Sequence, residues 1–264
     1  MMRETLETIR ERSLREAGIS EPEFERLAAE LGSPADLKRL SRWIKRRSLG
    51  EPIEYIIGAQ QFRGRRFAVD KRVYITDSEL THLVDAVIEA GKRFIDEKER
   101  PPVIVEFGVG CGSLAISVKK ELPIARVIGL DIDSDSIAVA FENARQHQVD
   151  LELYESDLFS DLPGDLVPDI LFGDPPWGDD HSLYEDDRDA AHYQAMPILS
   201  AFPSGGITAV HEAILKEVEF KGWPSSVFLN LGVLQDAQVE PLGKKARTRL
   251  IFKFEKARIM HCNY

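Results

Sequence analysis

Residues 103–114 read Val103-Ile104-Val105-Glu106-Phe107-Gly108-Val109-Gly110-Cys111-Gly112-Ser113-Leu114. A short apolar run bounded by glycines predicts a buried strand, and the residues from Leu114 to Lys120 predict a helix behind it. Glycines at 108, 110 and 112 let the backbone turn tightly and approach a ligand without Cβ collisions. The spacing G-x-G-x-G lacks the additional residue of the G-x-G-x-x-G fingerprint, which seats a pyrophosphate on a helix N-terminus. Glu106 would repel a phosphate and suits a cationic group such as an amino-acid ammonium.

Working outward, strands and helices alternate. Arg126–Leu130 predicts a second strand and Ser134–Gln148 a helix. Leu151–Tyr154, Asp169–Phe172 and Val227–Leu231 are further strand candidates. This alternation predicts an α/β fold with a mostly parallel sheet and helices on both faces. Upstream, Glu79–Phe94 predicts a helix that ends before the breaker Arg100-Pro101-Pro102. Residues 61–75 alternate apolar and polar side chains around Gly64 and Asp70-Lys71, predicting a β-hairpin that links two domains. Its cluster of Arg63, Arg65, Arg66, Lys71 and Arg72 reads as a solvated face, with an anion-binding surface as the alternative. Residues 1–48 carry Leu6, Ile9, Phe24, Leu27, Leu40 and Trp43 at helical spacing. Ser20 and Ser33 are the N-cap candidates. The expected division is a helical N-terminal domain at 1–48, a linker with hairpin at 49–84, and a catalytic domain at 85–264.

The chain has 264 residues, with 34 Lys and Arg against 45 Asp and Glu, a net charge of −11. So acidic a surface lacks the positive field that supplies most affinity for nucleic acid or an anionic bilayer. Only two cysteines are present, too few for a disulfide framework or a cysteine-rich metal site. No metal is expected. The charged N-terminus lacks the apolar core of a signal peptide, and no run matches a membrane span, so the expected location is the cytoplasm.

Three acidic positions give the ligand its identity. Glu106 suits an ammonium. Asp131, at the end of the second strand, can accept both hydroxyls of a ribose. Asp157, after the third strand, lies where an adenine amino group would be met. Ile132 and Leu158, which follow these aspartates, are read as part of the same lining. An ammonium, a ribose and an adenine without a phosphate describe S-adenosylmethionine (SAM) better than NAD or ATP. The product is then S-adenosylhomocysteine. Gly173-Asp174-Pro175-Pro176-Trp177 ends the fourth strand. Two prolines stiffen that loop and remove two amide donors, leaving carbonyl oxygens to face a ligand. Asp174 adds an acceptor, and Trp177 a flat face for stacking.

The order of Glu106-x-Gly108-x-Gly110-x-Gly112, an acidic strand end and Asp174-Pro175-Pro176-Trp177 resembles the amino-group methyltransferases that use SAM. The match is closest to the HemK/PrmC family of release-factor glutamine N5-methyltransferases. Gly50-Glu51-Pro52-Ile53-Glu54-Tyr55-Ile56-Ile57-Gly58 resembles that family's linker, and Asp133–Ala144 its second helix. The resemblance spans roughly residues 50 to 240 and implies a Rossmann-like class I methyltransferase fold.

Two departures bear on the acceptor. The family has Asn and Tyr where this chain has Asp174 and Trp177. It also carries a Pro-Arg-Pro-x-Thr-Glu segment where this chain reads Thr76-Asp77-Ser78-Glu79-Leu80-Thr81. Asp174 adds a full negative charge, and charge-assisted hydrogen bonds are about twice as strong as neutral ones. Trp is the best aromatic partner for a planar cation. Six acids between Asp179 and Asp189 stand against Arg188 alone. These features favour the guanidinium or amine of arginine or an arginine-like small molecule. Asp174 is then the base, and Glu185 and His181 are weaker candidates. Glu185 is also counted among the substrate-binding residues. A protein glutamine is the first alternative and a nucleic-acid adenine the second, disfavoured by charge. An inactive SAM-binding partner subunit is the third. A homodimer through the N-terminal helices is a further expectation. His192 and His211 read as packing or surface residues, Cys111 as a small filler and Gln235 as structural.

Overall fold

A computed structural model describes residues 5–33, 36–177, 194–201, 203–232, 234–255 and 257–264. The chain begins with α1 (Leu6–Glu16), α2 (Glu21–Ala29), α3 (Leu37–Ser48) and α4 (Ile53–Ile57). These helices bury Ile9, Phe24, Leu27, Leu40 and Trp43 in a cluster of their own. Ser20 caps α2 in a reciprocal box in which its amide donates to Glu23 Oε2 at 2.8 Å, satisfying orphan donors. Ser33 does not cap α3. The helix starts at Leu37, and Asp36 takes that position, its Oδ1 accepting from the Arg39 amide at 3.2 Å. A cap must flank the first helical residue, and Ser33 lies too far upstream.

The hairpin is β1 (Ala59–Phe62) and β2 (Arg65–Ala68). Its two-residue turn places Arg63 and Gly64 at φ 49° and 71°, the left-handed pair that matches strand twist. Residues 72–75, expected to alternate as part of the hairpin, stand outside its ladder. Val73 and Ile75 are buried under it instead. The basic cluster is only partly the solvated face expected, with Arg66 and Lys71 exposed, and its arginines are engaged by carboxylates. Arg63 pairs with Asp85 at 2.8 Å, Arg65 with Glu121 at 2.8 Å, Arg66 with Glu30 at 2.8 Å and Arg72 with Asp70 at 2.8 Å. These contacts clamp the hairpin between the N-terminal helices and the helices that follow.

After α5 (Thr81–Lys98) come β3 (Val103–Phe107), α6 (Ser113–Glu121), β4 (Arg126–Asp131), α7 (Ser134–His147), β5 (Glu152–Glu155), β6 (Ile170–Gly173) and β7 (Ser226–Asn230). The sheet order is β5-β4-β3-β6-β7-β9-β8, with the first five strands parallel. Strands β3, β6 and β7 are almost continuously apolar because helices cover both faces. The last pair, β8 (Thr248–Lys253) and β9 (Arg258–Asn263), runs antiparallel and was not foreseen from sequence. Charged residues interrupt both segments, and β9 is recognisable only by its insertion between β7 and β8. At Gly173 an added Cβ would lie 2.5 Å from the carbonyl oxygen of Phe107, so β6 can approach β3 only with glycine there.

Candidate active site

The carboxyl ends of β3, β4 and β6, with the segment after β5, open into a cleft of about 310 Å³. This is where ligands bind in open α/β sheets. Of the residues singled out above, Glu106, Gly108, Gly110, Asp131, Ile132, Asp157, Leu158, Asp174, Pro175 and Pro176 all line it.

Glu106 is 2% exposed, and its Oε2 accepts from the Ala115 amide in the first turn of α6 at 2.7 Å. Burial raises its pKa well above the usual carboxylate range, and the charges of Asp131 and Asp174 push the same way. Asp131 organises the glycine loop. Its Oδ2 accepts from the Gly110 amide at 2.9 Å and its Oδ1 from the Asp133 amide at 3.1 Å. Burial raises its pKa against the lowering effect of those amides. Gly108, Gly110 and Gly112 take φ of 66°, 51° and 81°. Ile132 is 57% exposed, a large apolar side chain at the mouth of the cleft. Asp174 Oδ1 accepts from Asn230 Nδ2 at 2.7 Å.

Gly112 and Trp177 are not part of the lining. Gly112 is the N-cap residue of α6. Trp177 packs against the apolar cluster that includes Val105, Ile128, Leu171 and Val227 of the sheet. Its indole lies so close to Gly232 that a Cβ there would fall 2.1 Å from Trp177 Cε2. Glu185, His181, His192 and the acidic run 179–189 lie outside the described residues.

The cleft also contains Tyr74, which sequence reasoning passed over, and Thr76 and Leu80 from the segment that departs from the family's pattern. Tyr74, Thr76 and Leu80 form a wall. Thr76 is knit in place by its amide donating to Gln60 Oε1 at 2.8 Å and its hydroxyl lying 2.7 Å from Ser113 Oγ. Cys111 lines the cleft and receives Gln60 Nε2 at 3.3 Å. Its thiol pKa is raised, chiefly by burial, as fits a packing role. Asn230 carried a usable signal: it is a polar residue ending the apolar strand Val227-Phe228-Leu229, as Asp131 ends β4. His211 is fully buried, and its Nε2 bonds the Asn230 carbonyl at 2.9 Å. Burial lowers its pKa to about 4, so the ring is neutral and Nε2 is the donor.

A mostly parallel seven-stranded sheet with one antiparallel strand inserted near its edge, and a carboxylate-lined cleft over its first glycine loop, defines a Rossmann-like class I methyltransferase fold. The sequence model of the family described as "Methyltransferase small domain" matches residues 92–202. Among curated proteins, the chain is 33% identical over 139 residues to the release factor glutamine methyltransferase of Koribacter versatilis, covering 53% of this chain and 48% of that one. It is 34% identical over 148 residues to that of Neisseria gonorrhoeae, covering 54% and 52%. A longer match, 28% identical over 209 residues, covers 78% of this chain and 73% of the Lactococcus lactis protein of the same name. The chain spans about half the length of the first of these relatives. These matches bear out the resemblance to the HemK/PrmC family.

Two solved structures share the fold. A T. thermophilus 16S rRNA N2 G1207 methyltransferase in complex with AdoMet and guanosine aligns with a TM-score of 0.55 at 18% identity, over 78% of this chain and 49% of that one. The hMettl16 catalytic domain, in complex with MAT2A 3'UTR hairpin 1, aligns with a TM-score of 0.57 at 12% identity, over 92% and 91%. Among the described residues no helix is long and apolar enough to cross a membrane.

Proposed function

We propose that this chain is a SAM-dependent N-methyltransferase whose acceptor is the side-chain amide of a glutamine in a protein. The observation that carries this reading is the convergence of Asp174, Pro175 and Pro176 on the same cleft as Glu106, Asp131 and Asp157. Glu106 pairs with the methionyl ammonium and Asp131 takes the ribose hydroxyls. Asp157 receives the adenine amino group, with Ile132 and Leu158 as apolar walls. The methyl carbon then faces the diproline loop.

Catalysis is chiefly placement of a nitrogen lone pair behind that carbon. Asp174 and the Pro175 carbonyl accept the two amide N–H groups, which directs electron density to a nitrogen otherwise delocalised into its carbonyl. The new N–CH₃ bond forms as the S–CH₃ bond breaks. S-adenosylhomocysteine leaves, and the nitrogen gives up one proton to water. The relatives named for glutamine methylation support the amide. The carboxylate at 174 favours a second reading, a guanidinium or amine acceptor, because an anion accepts more strongly from a cationic N–H.

The test incubates the chain with methyl-labelled SAM and, separately, a glutamine-containing release-factor peptide, free arginine and single-stranded DNA. Label on the peptide is the expected result. Label on arginine alone establishes the cationic acceptor, label on DNA alone overturns both amino-acid readings, and no label on any acceptor removes the activity. SAM affinity should also depend on pH in a defined direction. Free Glu106 holds its proton above the usual carboxylate range, whereas an ammonium partner favours the ionised form. Binding therefore releases a proton, and affinity rises with pH until the free carboxyl is itself ionised. Calorimetry in buffers of different ionisation heat measures this release, and Glu106→Gln should abolish it.

A further inference from the structure

We infer that Asn230 is a positioning residue that holds the Asp174 carboxylate in the orientation from which it accepts the methyl acceptor's N–H group. This rests on the methyltransferase reading above and adds to it a residue that makes none of the contacts assigned there.

Asn230 is 7% exposed and ends β7, next to the strand that delivers Asp174. Each of its polar groups on this side is engaged. Its Nδ2 donates to Asp174 Oδ1 at 2.7 Å, and its Oδ1 accepts from the Gly232 amide at 3.3 Å. Its carbonyl accepts from His211 Nε2 at 2.9 Å. The Oδ1 contact decides which way the amide faces. An acceptor facing a backbone N–H puts the NH₂ group toward the carboxylate. His211, buried and neutral, anchors the backbone beneath. The contact is part-buried, and a hydrogen bond to a carboxylate is among the stronger ones. A carboxylate joined to Pro175 by one peptide bond but free at its own χ angles would lose part of the placement that methyl transfer requires.

The test uses the full chain, the acceptor that takes label from the unaltered protein, and four variants. Asn230→Ala removes the donor and should lower kcat at least tenfold, with SAM affinity within twofold and the melting temperature within a few degrees. Asn230→Asp sets two carboxylates against each other and should lose at least as much activity. Adding Asp174→Asn to Asn230→Asp restores a donor–acceptor pair with the charge moved to the end of the neighbouring strand. It should recover activity on an amide acceptor over the Asn230→Asp variant. Asp174→Asn alone, measured beside it, separates the effect of the charge from the effect of the bond. Wild-type kcat in both single Asn230 variants overturns the inference, and so does failure of the double variant to recover on an amide acceptor. Equal loss of SAM binding and kcat would reassign Asn230 to cofactor binding or folding. Absence of transfer by the unaltered protein is a different result and overturns the activity on which the inference depends.

Discussion

Asp131→Ala is expected to lower SAM affinity by about 10²- to 10³-fold. Asp131 receives the Gly110 and Asp133 amides at 2.9 and 3.1 Å, and in the proposed function it also accepts the ribose hydroxyls of SAM. Hydrogen bonds to a charged group are worth roughly 1.5–3 kcal/mol each. Losing two of them, each taken near the lower end of that range, gives ~3–4 kcal/mol, and each 1.4 kcal/mol is tenfold in affinity. The side chain is a strand-end group whose partners are two loop amides at the carboxyl edge of the sheet, Gly110 after β3 and Asp133 after β4, so the fold should persist. Isothermal titration with SAM measures the affinity loss, and a thermal melt without ligand shows that the chain is folded. Affinity within threefold of wild type would remove Asp131 from the cofactor site.

Gly173→Ala is expected to lower stability by about 3 kcal/mol, at the upper end of overpacking costs. The added methyl would meet Phe107 at 2.5 Å from both its carbonyl oxygen and its ring Cε2. The ring could turn aside, but the carbonyl belongs to the β3–β6 pairing of Phe107 with Gly173 and cannot. For a chain of this size each kcal/mol moves the melting temperature by about 2–4 °C, so a drop of about 6–12 °C is expected. Because Gly173 directly precedes Asp174, methyl transfer should also fall below the retention of SAM binding. Gly164→Ala is the control. Its Cβ would meet nothing within 4 Å, and a melting temperature unchanged within 2 °C is expected. Scanning calorimetry of the three proteins decides the matter, and a Gly173→Ala melt equal to the control would refute the close-packing account.

Much of the site could be read before any fold was drawn. Glu106, Asp131, Asp157 and Asp174 each follow a short apolar run, and a parallel sheet brings the carboxyl ends of its strands to one edge. The pattern of local runs therefore carried the location of all four. The resemblance to HemK/PrmC methyltransferases rested on the same local stretches. Other features had no local signature. Tyr74 and Thr76 sit in a segment that alternates like a strand, yet they wall the cleft because the hairpin closes at Ala68 and the chain turns away. Asn230 was legible as a polar strand end, but its partner Asp174 is 56 residues away in sequence.

What the amino-acid order determined by itself was the parallel strands β3 to β7 with α5, α6 and α7, the glycine loop after β3 and the rigid diproline bend after β6, since each depends on the spacing of apolar side chains or on backbone restrictions within a few residues. The tertiary structure alone decided that β9 inserts antiparallel between β7 and β8. It also decided that the arginines of the hairpin are consumed by Asp85, Glu121 and Glu30, that Trp177 lies on Gly232, and that Asn230 meets Asp174. Those are contacts between segments far apart in the chain. Their geometry follows from strand order and from which faces must be buried together, and no window of local sequence contains either.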